Sequence, residues 1–242
     1  MKYIELQKAF EFGIGSIDKV SDRKISSDDI FYWINLGVKK FVTERVDSSI
    51  QKDEVLTEDL STLVTTMQFK STDSRFKFTS PNKTVISYKA DGIDPLTLSV
   101  IKNDYWYTVG ENIYIVSTDS KWPKDAAGAA IIKVVDALEC TIENVTSRLN
   151  NSLSDHILHN NDARPLRIYT DNKVTLYTDG NYTISSYELV YIKRPNEIII
   201  TDTNAFLDYT DMPDSTHAEI VKLAIELYLQ SYRIENPSNS KG

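Results

Sequence analysis

The sequence predicts an α+β fold in which N- and C-terminal helices form one α layer and an antiparallel β-rich domain is inserted between them. Three observations point there. Apolar residues recur at steps of three and four near both ends of the chain. The middle changes to short runs rich in Thr, Val, Ile and Tyr, broken by turn residues. No repeat and no polar linker divides the chain cleanly.

The first helix is expected over residues 3 to 18, with Ile4, Leu6, Ala9, Phe10, Ile14 and Ile17 on one stripe. Gly13 and Gly15 weaken its second half, each by about 1 kcal/mol against Ala. A firmer helix follows. Ser26 or Ser27 caps it, Asp28 and Asp29 sit at its positive end, and Ile30, Ile34, Val38, Phe41 and Val42 make its buried face. Lys39, Lys40 and Arg45 lie toward its negative end. A polar stretch then leads to Thr57, a good N-cap for a short turn that buries Leu60, Leu63 and Val64.

Phe69, Phe76, Phe78, Val85, Ile86 and Tyr88 read as hairpin strands around Pro81 and Asn82. Residues 96 to 117 read as further strand, with Gly110 as a turn. A strand is expected from Ala130 to Ala137, and a short helix over 141 to 155 with Ile142, Val145 and Leu149 inward. Next come three runs, Arg167 to Tyr169, Val174 to Thr178 and Tyr182 to Lys193. They are separated by Asp171-Asn172 and by Asp179-Gly180. The second pair reads as a two-residue hairpin turn. Pro195 ends the last strand. The final helix opens after Pro213, capped by Asp214 or Ser215, and buries Ile220, Leu223, Ala224, Leu227 and Tyr228. The tail ENPSNSKG has the composition of a disordered end. The expected division is residues 1–66 plus 206–242 as the helical part, and 67–205 as the β-rich insert.

Composition removes several function classes. With 27 basic and 35 acidic residues the chain carries a formal charge of −8, and it has no basic run, which argues against sequence reading of nucleic acid. No stretch of about 18 apolar residues is present to span a membrane. The opening MKYIELQKAFEF mixes polarity too early for a secretory signal. A single cysteine, Cys140, excludes a disulfide framework and a thiolate zinc site, and it reads as a small buried hydrophobe.

Motifs for chemistry are sparse. There is no phosphate-binding glycine loop, no H-E-x-x-H and no G-x-S-x-G. His156 and His159, with Asp155 and Asp162 nearby, share a face if helical, but a third metal ligand cannot be identified, so they read as solvated. His217 reads as a capping or packing residue. The acidic residues Asp28, Asp29, Glu58, Asp59, Asp202, Asp208 and Asp211 read as surface groups rather than a glycosidase pair. Ser16-Ile17-Asp18-Lys19 matches a bare S-x-x-K without its partner motifs. Tyr105, Trp106 and Tyr107, with Tyr88 and Tyr114, are a candidate sugar-stacking face. Tyrosine is also a common strand residue, and Tyr169, Tyr177, Tyr182, Tyr187 and Tyr191 fill the other strands. No catalytic, cofactor or metal residue is therefore assigned.

Three segments, in order, resemble the neck and head–tail connector proteins of crAss-like and related tailed bacteriophages of gut Bacteroidales. They are DDIFYWINLGVKKFVTERVDSSIQKDEVLTEDLSTLVTT, PLRIYTDNKVTLYTDGNYTISSYELVYIKRP and MPDSTHAEIVKLAIELYLQSYR. They cover about two fifths of the chain, and residues 67 to 160 resemble nothing in that family. The resemblance implies a virion structural protein and not an enzyme. It implies a neck ring subunit, usually a dodecamer, stacked between portal and tail around the channel that the genome passes through. Its partners would be its own copies, the portal protein, other neck or tail rings and, without sequence reading, the DNA. Assembly would take place in the bacterial cytoplasm. The family carries over no catalytic residues and no cofactor. It carries over Asp179-Gly180 as a hairpin tip, Pro213 to Glu219 as the capped start of the last helix, and the terminal helices as the α layer. The alternative is a β-rich module of a virion or surface protein that recognises a glycan or a protein partner.

Overall fold

The computed structural model describes residues 1–17, 25–52, 58–89, 92–93, 100–101, 104–159, 162–170, 172–201 and 203–235. Thr57, Asp18, Lys19, Asp171, Asp202, residues 96–99 and most of the C-terminal tail lie outside them. The fold is α+β with helices at both ends. It divides into two compact units, residues 1–64 with 194–242, and residues 65–193. Residues 194–205, which the sequence placed in the insert, fall within the helical unit.

The helical unit contains α1 (Tyr3–Ile17), α2 (Ser27–Lys52) and α4 (His217–Glu235). The start of α2 is a reciprocal cap: Ser26 Oγ accepts from Asp29 N at 3.1 Å and donates to the Asp29 carboxylate at 2.7 Å. The helix runs to Lys52, past the Arg45 region where its cationic end was expected. Leu6, Phe10 and Ile14 of α1 are buried, as are Ile30, Ile34, Val38, Phe41, Val42 and Val46 of α2 and Ile220, Ala224 and Ile225 of α4. Leu227 and Tyr228 are only half-buried. Gly37 explains how closely α2 and α4 approach. A Cβ there would lie 2.7 Å from the Ile220 carbonyl oxygen and 3.0 Å from Ala224 Cβ. Gly13 does not stop α1, because its open face receives the Ile225 side chain. The last helix opens through a 3-10 turn (Asp214–Thr216) that lacks a side-chain cap. The Asp214 carboxylate is turned to the amino group of Met1 at 2.6 Å, and Thr216 Oγ1 donates to the Pro213 carbonyl.

The second unit is built on two sheets. One has the order β1-β11-β6-β7, with β1 Val64–Lys70, β6 Tyr105–Val116, β7 Lys133–Val135 and β11 Thr183–Lys193. The other has the order β2-β3-β10-β9-β8, with β2 Phe76–Ser80, β3 Lys83–Ile86, β8 Leu138–Glu139, β9 Leu166–Thr170 and β10 Lys173–Tyr177. β11 with β6, β6 with β7, β2 with β3 and β10 with both β3 and β9 pair antiparallel, and β8 with β9 pairs parallel. A two-stranded ribbon, β4 (Gly92–Ile93) with β5 (Val100–Ile101), is the remaining strand pair among the described residues. The larger core draws on both sheets: Phe69, Ile113, Ile115, Ile184, Tyr187 and Leu189 from the first, Phe76, Ile86, Val174 and Leu176 from the second. The opposite face of β9 presents Leu166 and Ile168 to Cys140 and Val145, under the short α3 (Val145–Leu149).

Several expectations are corrected. Asp179-Gly180 is not a hairpin tip. β10 pairs with β3 and β9, whereas β11 pairs with β6 and joins β1, so these two residues carry the chain from one sheet to the other. Gly180 does supply the left-handed turn, at φ 86°. The Asp179 carboxylate accepts from Asn181 N and from Leu158 N, both at 2.8 Å, and this bends the chain out of the sheet. Gly110 is not a turn either. It pairs with Val190 inside β6, beside a bulge at Val109 that absorbs the irregularity. The Ala130–Ala137 strand shrinks to Lys133–Val135 at a sheet edge, leaving Ile131, Ile132 and Val134 exposed. The 141–155 helix shrinks to α3, and Ile142 faces solvent. Phe78 is exposed on the edge strand β2, with its ring 5.2 Å from that of the buried Phe76.

Candidate functional site

One cluster of charged and phenolic groups inside the β unit joins its two sheets. In β6 the inward phase reads Glu111, Ile113, Ile115, so an acidic residue takes a position that the alternation reserves for the core. β9 aims Arg167 and Tyr169 toward the same space, and Tyr187 reaches it from β11. Glu111 Oε1 accepts from Arg167 Nη1, while Glu111 Oε2 accepts from the hydroxyls of Tyr187 at 2.7 Å and Tyr169 at 3.2 Å. The Arg167 guanidinium also covers the Tyr169 ring at 4.6 Å.

Electrostatics keep both phenols as donors. Burial raises Tyr187 strongly, and the Glu111 carboxylate adds to it. Burial first, then Glu111, pushes Tyr169 up to about 12. Burial works against the Arg167 charge, but Glu111, Tyr169 and Tyr187 more than offset it, so its pKa is raised. Both carboxylate oxygens of Glu111 are engaged. The group ties one sheet to the other.

A second buried pair stands nearby in the same unit. Arg75 forks onto Asp73, with Nε–Oδ1 at 3.0 Å and Nη2–Oδ2 at 2.8 Å, and lies 4.6 Å over the Phe69 ring. Its Nη1 donates to Met67 sulfur. Tyr191 donates to Asp104 at 2.6 Å, and burial raises its pKa.

On the helical unit an open groove of about 320 Å³ runs along one stripe of α2, Asp28, Phe31, Tyr32, Asn35 and Lys39, against the extended residues 197–200. Asn35 holds that segment as a strand partner would. Its Nδ2 donates to the Ile198 carbonyl at 3.0 Å, and its Oδ1 accepts from Ile198 N at 2.8 Å.

The sequence candidates fall as follows. His156 is buried and His159 is exposed, and no group of three metal-ligating side chains occurs among the described residues. His217 is fully buried, with Nε2 donating to the Met212 carbonyl at 3.1 Å and Nδ1 accepting from the Met1 amino group at 2.9 Å. Asp59 pairs with Arg45, and Arg45 also meets Glu219. Asp211 accepts from Asn196 N at 2.6 Å, Asp208 is exposed, and Ser16 Oγ donates to the Gly13 carbonyl. Cys140 is buried. The aromatic run separates. Tyr105 joins Tyr88 and Tyr191, whereas a bulge at Trp106 brings its ring against Tyr107, 5.2 Å apart at 26°. Glu111, Arg167 and Asn35 were not singled out in the sequence. The signal for Glu111 was there, as the single acid in the inward phase of an Ile-rich strand.

No protein-family model matches this chain, and no curated protein matches it.

Proposed function

We propose that the chain is a virion structural protein, a ring-forming head–tail connector subunit that joins portal to tail around the DNA channel. The reading rests on the three resembling segments, and their position in the fold supports it. The first supplies most of α2 and the start of β1, the second supplies β9 to β11, and the third supplies α4. Two of these helices, which are distant in sequence, make the framework that the resemblance expects. Its acid and base groups favour work by shape: Glu111, Asp73 and His217 spend their polar atoms on internal bonds. Head-to-tail contacts between copies close into a ring when the rotation allows it. With −8 on each subunit, the channel wall is expected to be acidic and to repel phosphate, so that DNA slides without sticking.

Native mass spectrometry, followed by imaging of particles that carry the protein, tests this. The expected result is a closed oligomer of about twelve copies, formed alone or on the portal vertex. A monomer that binds polysaccharide overturns it and favours the glycan-binding alternative, for which the half-exposed Trp106–Tyr107 stack is the specific feature. A channel lined mainly by Lys and Arg defeats the sliding argument alone.

A further inference from the structure

We propose that residues 151–159 form an acid-released strap over the Tyr182 end of the β-unit core, with the buried His156 ring as the pin that titrates. Among the described residues, a small set of hydrogen bonds holds the strap. The Tyr182 hydroxyl donates to the His156 carbonyl at 2.9 Å, and Leu158 N donates to Asp179 Oδ2 at 2.8 Å. Arg164 N donates to the Asp155 carbonyl at 2.8 Å, and His159 and Asp162 bridge each other through their backbones. Leu158 packs on the core, and Ala163 just beyond it belongs to that core.

His156 itself is 2% exposed, and its Nδ1 is buried without a hydrogen-bond partner. A ring seated in this way is comfortable only when neutral. Charged and titratable groups among the described residues stand on two neighbouring segments. From the β10–β11 crossover come Asp179 and Tyr182. The strap and its continuation carry Asp155, His159 and Asp162, all exposed, and the half-buried Arg164. Burial lowers the His156 pKa, and the Asp179 carboxylate opposes this without reversing it. Asp179 is already committed, because it accepts from Leu158 N, Asn181 N and Asn181 Nδ2. A proton arriving from water therefore makes a buried imidazolium that the Asp179 charge compensates only in part. The ring is relieved by leaving its seat, and the strap leaves with it.

Hydrogen exchange of the whole chain, followed by mass spectrometry from pH 7.5 to 5 and corrected for intrinsic rates, reads the strap directly. One proton linked to opening predicts a rise in strap opening approaching tenfold per pH unit below about 6.5. His159→Gln is expected to keep that step and His156→Gln to abolish it, whatever its own level of protection. A pH-independent wild-type strap overturns the proposal, and so does an unchanged step in H156Q. If H156Q does not fold, proton NMR of the wild-type His156 ring takes its place. Ring titration that coincides with loss of strap protection supports the pin, and a ring that protonates beneath a protected strap overturns it.

Discussion

At the scale of single residues, Glu111 carries the most consequence. Its carboxylate neutralises a largely buried guanidinium and satisfies two phenols. Removing one member of such a pair strands the other charge, whereas removing both restores an apolar core. Glu111→Leu is therefore expected to cost about 3 kcal/mol, and Glu111→Leu with Arg167→Met distinctly less. Urea unfolding of the two variants checks this. A double variant that is less stable than the single one would show that the cost of Glu111→Leu does not come from a stranded guanidinium. The two charged positions were half legible in the sequence. Glu111 breaks the apolar phase of its strand visibly, but nothing in the local sequence pairs it with Arg167, 56 residues away.

At the scale of elements, two glycines in helices have opposite meanings. Gly15 has nothing within 4 Å of a built Cβ, so Gly15→Ala is expected to stabilise α1 by roughly 0.5–1 kcal/mol. Gly37 faces the backbone of α4, and Gly37→Ala forces the helices apart. The overpacking cost of about 1–3 kcal/mol outweighs the gain in propensity. Thermal melts of the two variants must move in opposite directions. Equal shifts of the same sign would mean that the α2–α4 approach is soft. Periodicity placed α2 and α4 and their inward faces. Gly37 occupies the inward phase, three residues after Ile34 and four before Phe41, and that is the signal of a close crossing. The strands were less legible. Asp179-Gly180 has the chemistry of a hairpin turn, but a turn does not choose the partner of the strand that follows it.

At the scale of the whole molecule, each unit buries one neutral histidine. Burial lowers the pKa of His217, and the Met1 amino group adds to this; burial also lowers that of His156. A folded pKa below the unfolded value near 6.5 means that the unfolded chain binds more protons below that pH. Stability is then complete above about pH 6.5 and falls on acidification, by up to about 1.4 kcal/mol per pH unit for each ring. Urea midpoints measured at pH 7.5 and 5.5 should show the loss. Identical midpoints would mean that both rings accept protons where they sit.

The sequence by itself determined the α+β class, the terminal helices with their inward faces, and most strand positions, because these follow from local period, capping and turn chemistry. Only the tertiary structure decided that β10 and β11 part into different sheets, that Gly110 sits inside a strand, and that Glu111 meets Arg167 and two tyrosines. Those outcomes depend on which strand pairs with which, and that choice is made by side chains far apart along the chain burying one shared core.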